Sequence, residues 1–410
     1  MHILFLTDNF PPEVNAPASR TFEHCRVWVQ QGHQVTVITC APNFPGGKVF
    51  VGYKNKLWQT EVVDGIRVIR VWSYITANEG FLKRILDYLS FMFSAFFAAL
   101  FVKKADLVIG TSPQFFTACA AYLVGLVKRI PFVFELRDIW PESIKAVGAM
   151  QDSLAIKFLE KIELFLYAKA ALIVSVTYSF KTILADRGVN PDKIHVITNG
   201  VDASRFFELQ KDQALVEKYQ LQNQFVSGYV GTHGLAHHLE TILEAAAIAQ
   251  ANNDNFRFIL LGNGARKSEL INQAEAMNLT NVIFIDSVSK AEVPSYWSLL
   301  DVSIIHLKKM ELFTSVIPSK LFECMAMGIP VLHGVAGESA DIVKDNQAGI
   351  VFEPEDANAL YQSLVNLRND ASLYQKLKTN GLVAAKKYDR THLAKEFSTL
   401  LATLISKQTN

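Results

Sequence analysis

The sequence predicts an α/β protein built from two doubly wound, Rossmann-like domains facing each other across a cleft. Three observations predict this class. Short apolar runs alternate with helix-length segments along almost the whole chain, the series restarts near residue 225, and 410 residues exceed what a single core organises. Strand candidates in the first series are 2–7, 35–39, 66–71, 106–110, 131–136, 171–176 and 194–198. Those in the second are 226–230, 256–261, 281–285, 301–305, 330–333 and 349–352. Many are unbroken Val/Ile/Leu/Phe runs, the pattern of parallel strands covered by helices on both faces. Segments 19–31, 153–169, 239–251, 265–277 and 356–368 have helical length and composition. Asp64-Gly65, between Glu61-Val62-Val63 and Ile66-Arg67-Val68, marks a β-hairpin. The expected division is a first domain over 1–198, a linker and hinge over 199–224, and a second domain over 225–390, with a last helix, 391–405, crossing back onto the first.

Composition narrows the function classes. Half of the residues are apolar and 19% are charged, so the chain buries large cores. A net charge of +1 predicts no nucleic-acid partner, although residues 1–190 carry +5 and residues 191–410 carry −4. Cys25, Cys40, Cys119 and Cys324 lie far apart and read as reduced core residues. The start, Met1-His2-Ile3-Leu4-Phe5-Leu6-Thr7-Asp8, lacks a basic n-region and reads as a buried strand rather than a signal peptide. The expected location is cytoplasmic, peripheral on the inner face of the cytoplasmic membrane. The segment 82–104 motivates the membrane contact. Fifteen uncharged residues run from Tyr88 to Val102 between basic ends, short of the about 20 that a span needs. Two readings stand: a buried helix between layers, or an interfacial helix with its aromatic face in lipid.

Dinucleotide and P-loop modes are unsupported. Asp8-Asn9-Phe10-Pro11-Pro12-Glu13 follows the first strand without G-x-G-x-x-G, Gly262-Asn263-Gly264 lacks a third glycine, and there is no G-x-x-x-x-G-K-[ST]. No H-x-x-x-H or D-x-D has convincing ligand spacing, so no obligatory metal and no cofactor are expected. His33, His306 and His333, near strand ends, read as structural.

Two stretches carry chemistry. Ile317-Pro318-Ser319-Lys320-Leu321-Phe322-Glu323-Cys324-Met325-Ala326-Met327-Gly328 reads as a short helix started by Pro318 and stopped by Gly328, followed by a strand at Pro330-Val331-Leu332. A cation at its start and an acid one turn later suit a ligand with phosphate at one end and a ribose diol at the other, as in a nucleotide sugar. The plainer reading is a surface i,i+3 pair worth about 0.2–0.5 kcal/mol. Arg137-Asp138-Ile139-Trp140-Pro141-Glu142 follows strand 131–136 and presents a cation, an acid and an aromatic, a set that suits sugar binding. Its plainer reading pairs Arg137 with Asp138 and puts Trp140 in the core.

The order of these pieces resembles the retaining glycosyltransferases of family 4, with the GT-B fold, over essentially the whole chain. The resemblance is carried by Phe10-Pro11-Pro12-Glu13-Val14-Asn15-Ala16-Pro17, Gly32-His33-Gln34-Val35-Thr36-Val37-Ile38-Thr39, Ile197-Thr198-Asn199-Gly200-Val201-Asp202 with Phe206, Leu260-Leu261-Gly262-Asn263-Gly264, and Pro318 to Val331. Arg-Asp-x-Trp-Pro at 137–141 is similar to bacterial O-antigen and capsule enzymes, including the N-acetyl-L-fucosamine transferase group. The resemblance implies a UDP-linked donor, a lipid-linked saccharide acceptor, and closure of the domains about the hinge. It implies that Lys320, the backbone of Ser315, Val316, Ile317 and Ser319, and the loop of Asn15, Ala16 and Pro17 hold the diphosphate. Glu323 would take the ribose diol, and Gly262, Gly264 and Val288 the base. Arg137, Asp138 and Trp140 would meet the transferred sugar or the acceptor. Two departures stand out. The first acid of the family's Glu-x7-Glu is Ser315 here, and Glu311 is four residues further off. The loop Gly231-Thr232-His233-Gly234 replaces a segment that commonly holds an Arg and then a Lys, with His237 and His238 as partial substitutes. Two rivals remain on these residues: a non-hydrolysing UDP-sugar epimerase and a non-catalytic scaffold of a glycan-assembly complex.

Overall fold

The structure is a computed structural model that describes residues 1–44, 46–76, 81–140 and 154–409. The chain divides into two compact units, Met1–Thr198 with Arg390–Asn410, and Asn199–Asp389.

The first unit holds eight strands: β1 (His2–Leu6), β2 (Gln34–Cys40), β3 (Trp58–Val63), β4 (Ile66–Val71), β5 (Leu107–Thr111), β6 (Phe132–Leu136), β7 (Leu172–Ser175) and β8 (Ile194–Val196). Their order is β3-β4-β2-β1-β5-β6-β7-β8. Every pairing is parallel except the β3–β4 hairpin. Its two turn residues, Asp64 and Gly65, sit at φ 48° and 81°, so the turn twists with the strands. The pleat sorts β1 into two cores. Leu4 and Leu6 join a layer with the helices Phe81–Leu100, Phe115–Lys128, Leu154–Lys169 and Tyr178–Asp186. Ile3 and Phe5 join the opposite layer with the helices Ala16–Gln30 and Arg390–Thr409. The last helix is fastened there. Trp28 Nε1 donates to the Ala394 carbonyl at 2.8 Å and its ring meets Phe397 edge-on at 5.2 Å.

The second unit holds β9 (Phe225–Val230), β10 (Phe256–Leu261), β11 (Val282–Ile285), β12 (Val302–His306), β13 (Val331–Gly334) and β14 (Gly349–Val351). All pair in parallel in the order β11-β10-β9-β12-β13-β14. The segment 199–224 differs from the bare linker expected of it. Val201, Phe206, Val216 and Leu221 are buried in this unit's core, and Gln213–Lys218 is a helix whose cap, Asp212, accepts from Leu215 N at 3.2 Å. Val201 also forms a parallel bridge to Asp389. Polar composition hid these contacts, because the apolar residues are spaced too widely to show a period. In each sheet the connection reverses direction at its middle, beside β1 and beside β9, and the carboxyl ends of strands at such a point are where open α/β sheets bind ligands.

Candidate functional site

In the second unit the loops after β9 and β10 lock together. Gly231 N donates to the Leu261 carbonyl at 2.9 Å, His233 N to Asn263 at 2.9 Å, and Arg266 N to His233 at 3.0 Å. The approach is closer than any side chain allows. A Cβ on Gly262 would lie 1.8 Å from the Gly231 carbonyl oxygen, and one on Gly264 would lie 2.4 Å from that of His233. The loops enclose a pocket of about 250 Å³ lined by Gly231, Thr232, Leu261, Gly262, Asn263 and Val288. The sequence reading missed Lys267, which holds this corner from behind. Its Nζ donates to the carbonyls of Gly262 (2.8 Å) and Ile285 (3.1 Å) and pairs with Asp286 at 2.6 Å. Its only sequence signal is a cation in the first turn of a helix just past the Gly-Asn-Gly loop.

The helix Lys320–Ala326 enters the same corner. Leu321, Phe322, Cys324 and Met325 are buried, which fixes the helix and leaves Lys320 and Glu323 half-buried. Lys320 Nζ lies 3.7 Å from the centre of the Tyr229 ring and would be 2.6 Å from a Cβ on Gly231. Tyr229 is oriented by its hydroxyl, which donates to the Thr232 carbonyl at 2.8 Å. Lost hydration pulls the Lys320 ammonium down to about 7, against the opposing pull of Glu323. An amine in that state accepts a proton readily when an anion arrives.

His237 differs from the expectation of a cationic substitute, and its loop neighbour His233 is no cation either. His233 is fully buried, with neither ring nitrogen hydrogen-bonded. Burial, then Lys267 and Lys320, push it down to about 4, and burial and Lys320 do the same to His237. Both rings are therefore neutral near pH 7 and offer hydrogen bonds rather than charge. Their four-residue spacing falls on a loop and a 3₁₀ turn, and among the described residues no group of three metal-ligating side chains forms. His238 bonds Thr241 Oγ1 at 3.1 Å, in the first turn of the helix Glu240–Ala251. His306 and His333 are structural: His306 bonds the His237 carbonyl (2.8 Å) and Glu355 N (2.9 Å), and His333 bonds Ser339 Oγ (2.7 Å).

Several predicted contacts need correction. Ser315 closes the 3₁₀ turn Glu311–Ser315 with its hydroxyl on the Leu312 carbonyl at 3.1 Å. The Val316 amide is engaged by Phe313 O at 3.2 Å, so a cradle over 315–319 loses that donor. In the first unit Asn15 is the helix cap. Its Oδ1 accepts from Ala18 N at 2.9 Å and its Nδ2 donates to Asn9 at 2.5 Å, while Pro17 has no amide hydrogen to offer. Trp140 is buried and stacked on Phe115 with ring centres 4.9 Å apart, as the plainer reading of its stretch has it.

The structure does bring Arg137 to the 15–17 loop, where Nη1 donates to the Pro17 carbonyl at 3.3 Å. Ser112 Oγ fixes the turn by accepting from Arg137 N (2.7 Å) and Asp138 N (3.1 Å). Burial lowers Arg137 to about 10, opposed by Glu135, so it remains charged. Beneath it, buried Arg20 pairs with Glu135 at 2.9 Å and also donates to the carbonyls of Ile197 and Thr198. A carboxyl cluster at the end of β1 went unread. Asp8 is pushed well up by burial, then by Asp87 and Glu13, and Asp87 itself is raised by burial to about 7. Glu13 accepts from the amides of Asn43 (2.7 Å) and Phe44 (2.8 Å). Asp8 directly follows the central strand, which was the available signal.

Comparison with known proteins accounts for both units. Residues 18–205 match the family model for Glycosyltransferase Family 4, and residues 211–383 match that for Glycosyl transferases group 1. The chain is a glycosyltransferase of the family 4 type. It is 24% identical over 339 residues, 80% of this chain and 82% of the relative, to a protein of Escherichia coli (strain K12) described as a colanic acid biosynthesis glycosyl transferase, WcaI. It is 23% identical over 172 residues to an N-acetyl-D-galactosaminyltransferase of Campylobacter jejuni whose name specifies an undecaprenol-linked acceptor, covering 41% of this chain and 46% of that relative. Among solved structures, Anabaena HepE in complex with UDP-glucose superposes with a TM-score of 0.72 at 17% identity, covering 98% of this chain and all of HepE. The glycosyltransferase therefore has the GT-B fold.

Proposed function

We propose that this glycosyltransferase is a retaining, metal-independent enzyme. It takes a UDP-linked hexose, N-acetylated or deoxygenated, and passes the sugar to a hydroxyl of a lipid-linked glycan in bacterial surface-polysaccharide assembly. The observation that carries the donor reading is Lys320 Nζ, poised over Tyr229 and against Gly231 at the rim of the glycine-lined pocket, with Glu323 one turn along the same helix. In this reading Gly262, Gly264 and Val288 border the base, Glu323 takes the ribose diol, and Lys320 meets the diphosphate. As the glycosidic bond loosens, charge grows on the leaving diphosphate, and a cation already in place lowers the barrier. Arg137 and Asp138 are assigned to the transferred sugar or the acceptor. The solved UDP-glucose complex of HepE supports a UDP-linked donor, and the undecaprenol-linked acceptor named for the Campylobacter relative supports a lipid-linked one. The Arg-Asp-x-Trp-Pro stretch supports N-acetyl-L-fucosamine as the first sugar to try.

Donor kinetics of Glu323→Ala test the reading. The expected result is a raised donor KM or lost turnover, and wild-type kinetics would remove the nucleotide assignment. Incubation with UDP-sugars alone separates transfer from epimerisation, which needs no acceptor. Ser315, in place of an acid, favours one further rival, a non-catalytic scaffold. That rival predicts no heat of donor binding by calorimetry.

A further inference from the structure

The helices Phe81–Leu100, Phe115–Lys128 and Leu154–Lys169 cover one face of the first unit's sheet, and each is apolar on its outer side as well as its inner one. The first buries Phe91, Ala95, Ala98 and Ala99 against the sheet. Leu86, Phe93, Phe97 and the following Phe101 point away from that core, with Phe97 59% and Phe101 75% exposed. Steps of seven, four and four residues keep these four in one stripe. The second helix continues it with Leu126, 62% exposed, and Val127. The third adds Phe158, 63% exposed, and Phe165, which meets Tyr122 of the second helix edge-on at 5.2 Å. Trp58 of β3 meets Phe101 edge-on at 6.2 Å and widens the face. Contiguous exposed apolar surface of this kind marks an interaction site.

Charge says what covers it. Exposed Lys83 and Arg84 stand at one end of the first helix and Lys103 and Lys104 at the other. Arg129 follows the second helix, and Lys157, Lys161 and Lys169 border the third. Of the acids here, Glu163 is buried against Arg187, Asp106 accepts from the amide of His2, and Asp87 and Glu160 are half-buried. A second copy docked on this face about a two-fold axis would set cations against cations whichever way the helices ran. Among the described residues no helix is long and apolar enough to cross a membrane.

We infer that this three-helix face lies flat on an anionic lipid bilayer, its phenylalanines at the boundary of headgroups and acyl chains and its lysines and arginines on headgroup phosphates. The use of such docking rests on the lipid-linked acceptor proposed above. The first helix carries Asp87, whose charge acts on Asp8 at the carboxyl end of β1, so the docked face reaches the loop that follows that strand.

The test is co-sedimentation of the full chain with vesicles of phosphatidylcholine alone or with about one third phosphatidylglycerol, without donor or acceptor. Binding is expected to the anionic vesicles and to weaken as salt rises. Phe97→Ser/Phe101→Ser and Lys103→Glu/Lys104→Glu should each weaken it at least about tenfold, while donor binding by calorimetry stays unchanged and reports intact folding. Failure to bind either vesicle overturns the inference, as does undiminished binding by both variants. A wild-type dimer in sedimentation velocity that Phe97→Ser/Phe101→Ser dissociates, with no vesicle binding, would assign the face to self-association instead. Vesicle binding without transfer to any lipid-linked acceptor would sink the acceptor reading alone.

Discussion

With Lys320 at the diphosphate, as proposed above, donor binding is a proton-uptake reaction. In the free protein its ammonium titrates near pH 7, because the Tyr229 ring and the Gly231 loop replace water around it and Glu323 compensates only in part. A diphosphate beside Nζ holds the proton on, so the bound form carries more protons than the free form above pH 7. Binding must then weaken as pH rises. A group of pKa about 7 is half protonated at pH 7 and about 3% protonated at pH 8.5, so donor Kd should weaken about 16-fold across that interval, or about 1.6 kcal/mol. The donor's diphosphate diester has no group titrating there, and the interval stops short of uracil ionisation. Calorimetry at pH 8 in buffers of different ionisation enthalpy should report uptake of about 0.9 proton per donor bound. Lys320→Met should bind weakly with a flat pH profile. Its free form should be more stable than wild type below pH 7, with the difference shrinking as pH rises, because a group whose folded pKa is depressed leaves the unfolded chain holding more protons between about pH 7 and 10. Zero uptake and a flat wild-type Kd, in a protein whose donor binding still depends on Glu323, would refute the placement of Lys320 at the diphosphate.

Three further outcomes follow from contacts elsewhere. Gly262→Ala should abolish the thermal shift produced by a UDP-sugar, since its Cβ would sit 1.8 Å from a backbone oxygen and the two loops must part. Asp87→Asn should raise Tm at pH 8 and lose most of that advantage at pH 5. The folded-state pKa of about 7 exceeds the unfolded value, so the folded form binds the extra proton and wild-type stability falls as pH climbs through the window between them. Arg20→Met takes from buried Glu135 its hydrogen-bonded ion-pair partner and should cost about 3–5 kcal/mol in chemical denaturation, whereas Arg20→Met with Glu135→Leu should recover much of it.

The strands were legible because burial on both faces leaves a continuous apolar run that nothing else in the chain imitates. Ile66–Val71 and Phe256–Leu261 form where the sequence places them, and the Asp64-Gly65 turn identifies its hairpin because few other dipeptides accept two positive φ angles. Amphipathic helices were legible for their buried side only. Helix Phe81–Leu100 buries Phe91 and Ala95, as a buried-helix reading asks, and exposes Phe93 and Phe97, the side that the interfacial reading concerns, so the two readings address opposite sides of one helix. Segment 199–224 was illegible because its order comes from a bridge to Asp389, nearly two hundred positions along the chain, and pattern reading has no access to such a partner.

Site residues divide along the same physical line. Lys320 with Glu323 was readable from spacing, since three residues on a helix make neighbours, and the glycines were readable because a close backbone approach tolerates nothing larger. What spacing could not supply was the environment that decides charge. His237 stands in the sequence as a partial substitute for a missing cation, yet burial and then Lys320 keep it neutral, and burial with Lys267 and Lys320 does the same to His233. Asp8 looks like an ordinary anion, yet burial, then Asp87 from a distant helix and nearby Glu13, push it toward its protonated form. Asn15 and Trp140 look available, yet a helix cap and an aromatic stack already occupy them. The protonation state of a buried group is a property of the fold, set by how much water the packing removes and which charges it gathers. Residue type names the candidates for chemistry, and only the packed structure says which of them carry a charge to do it with.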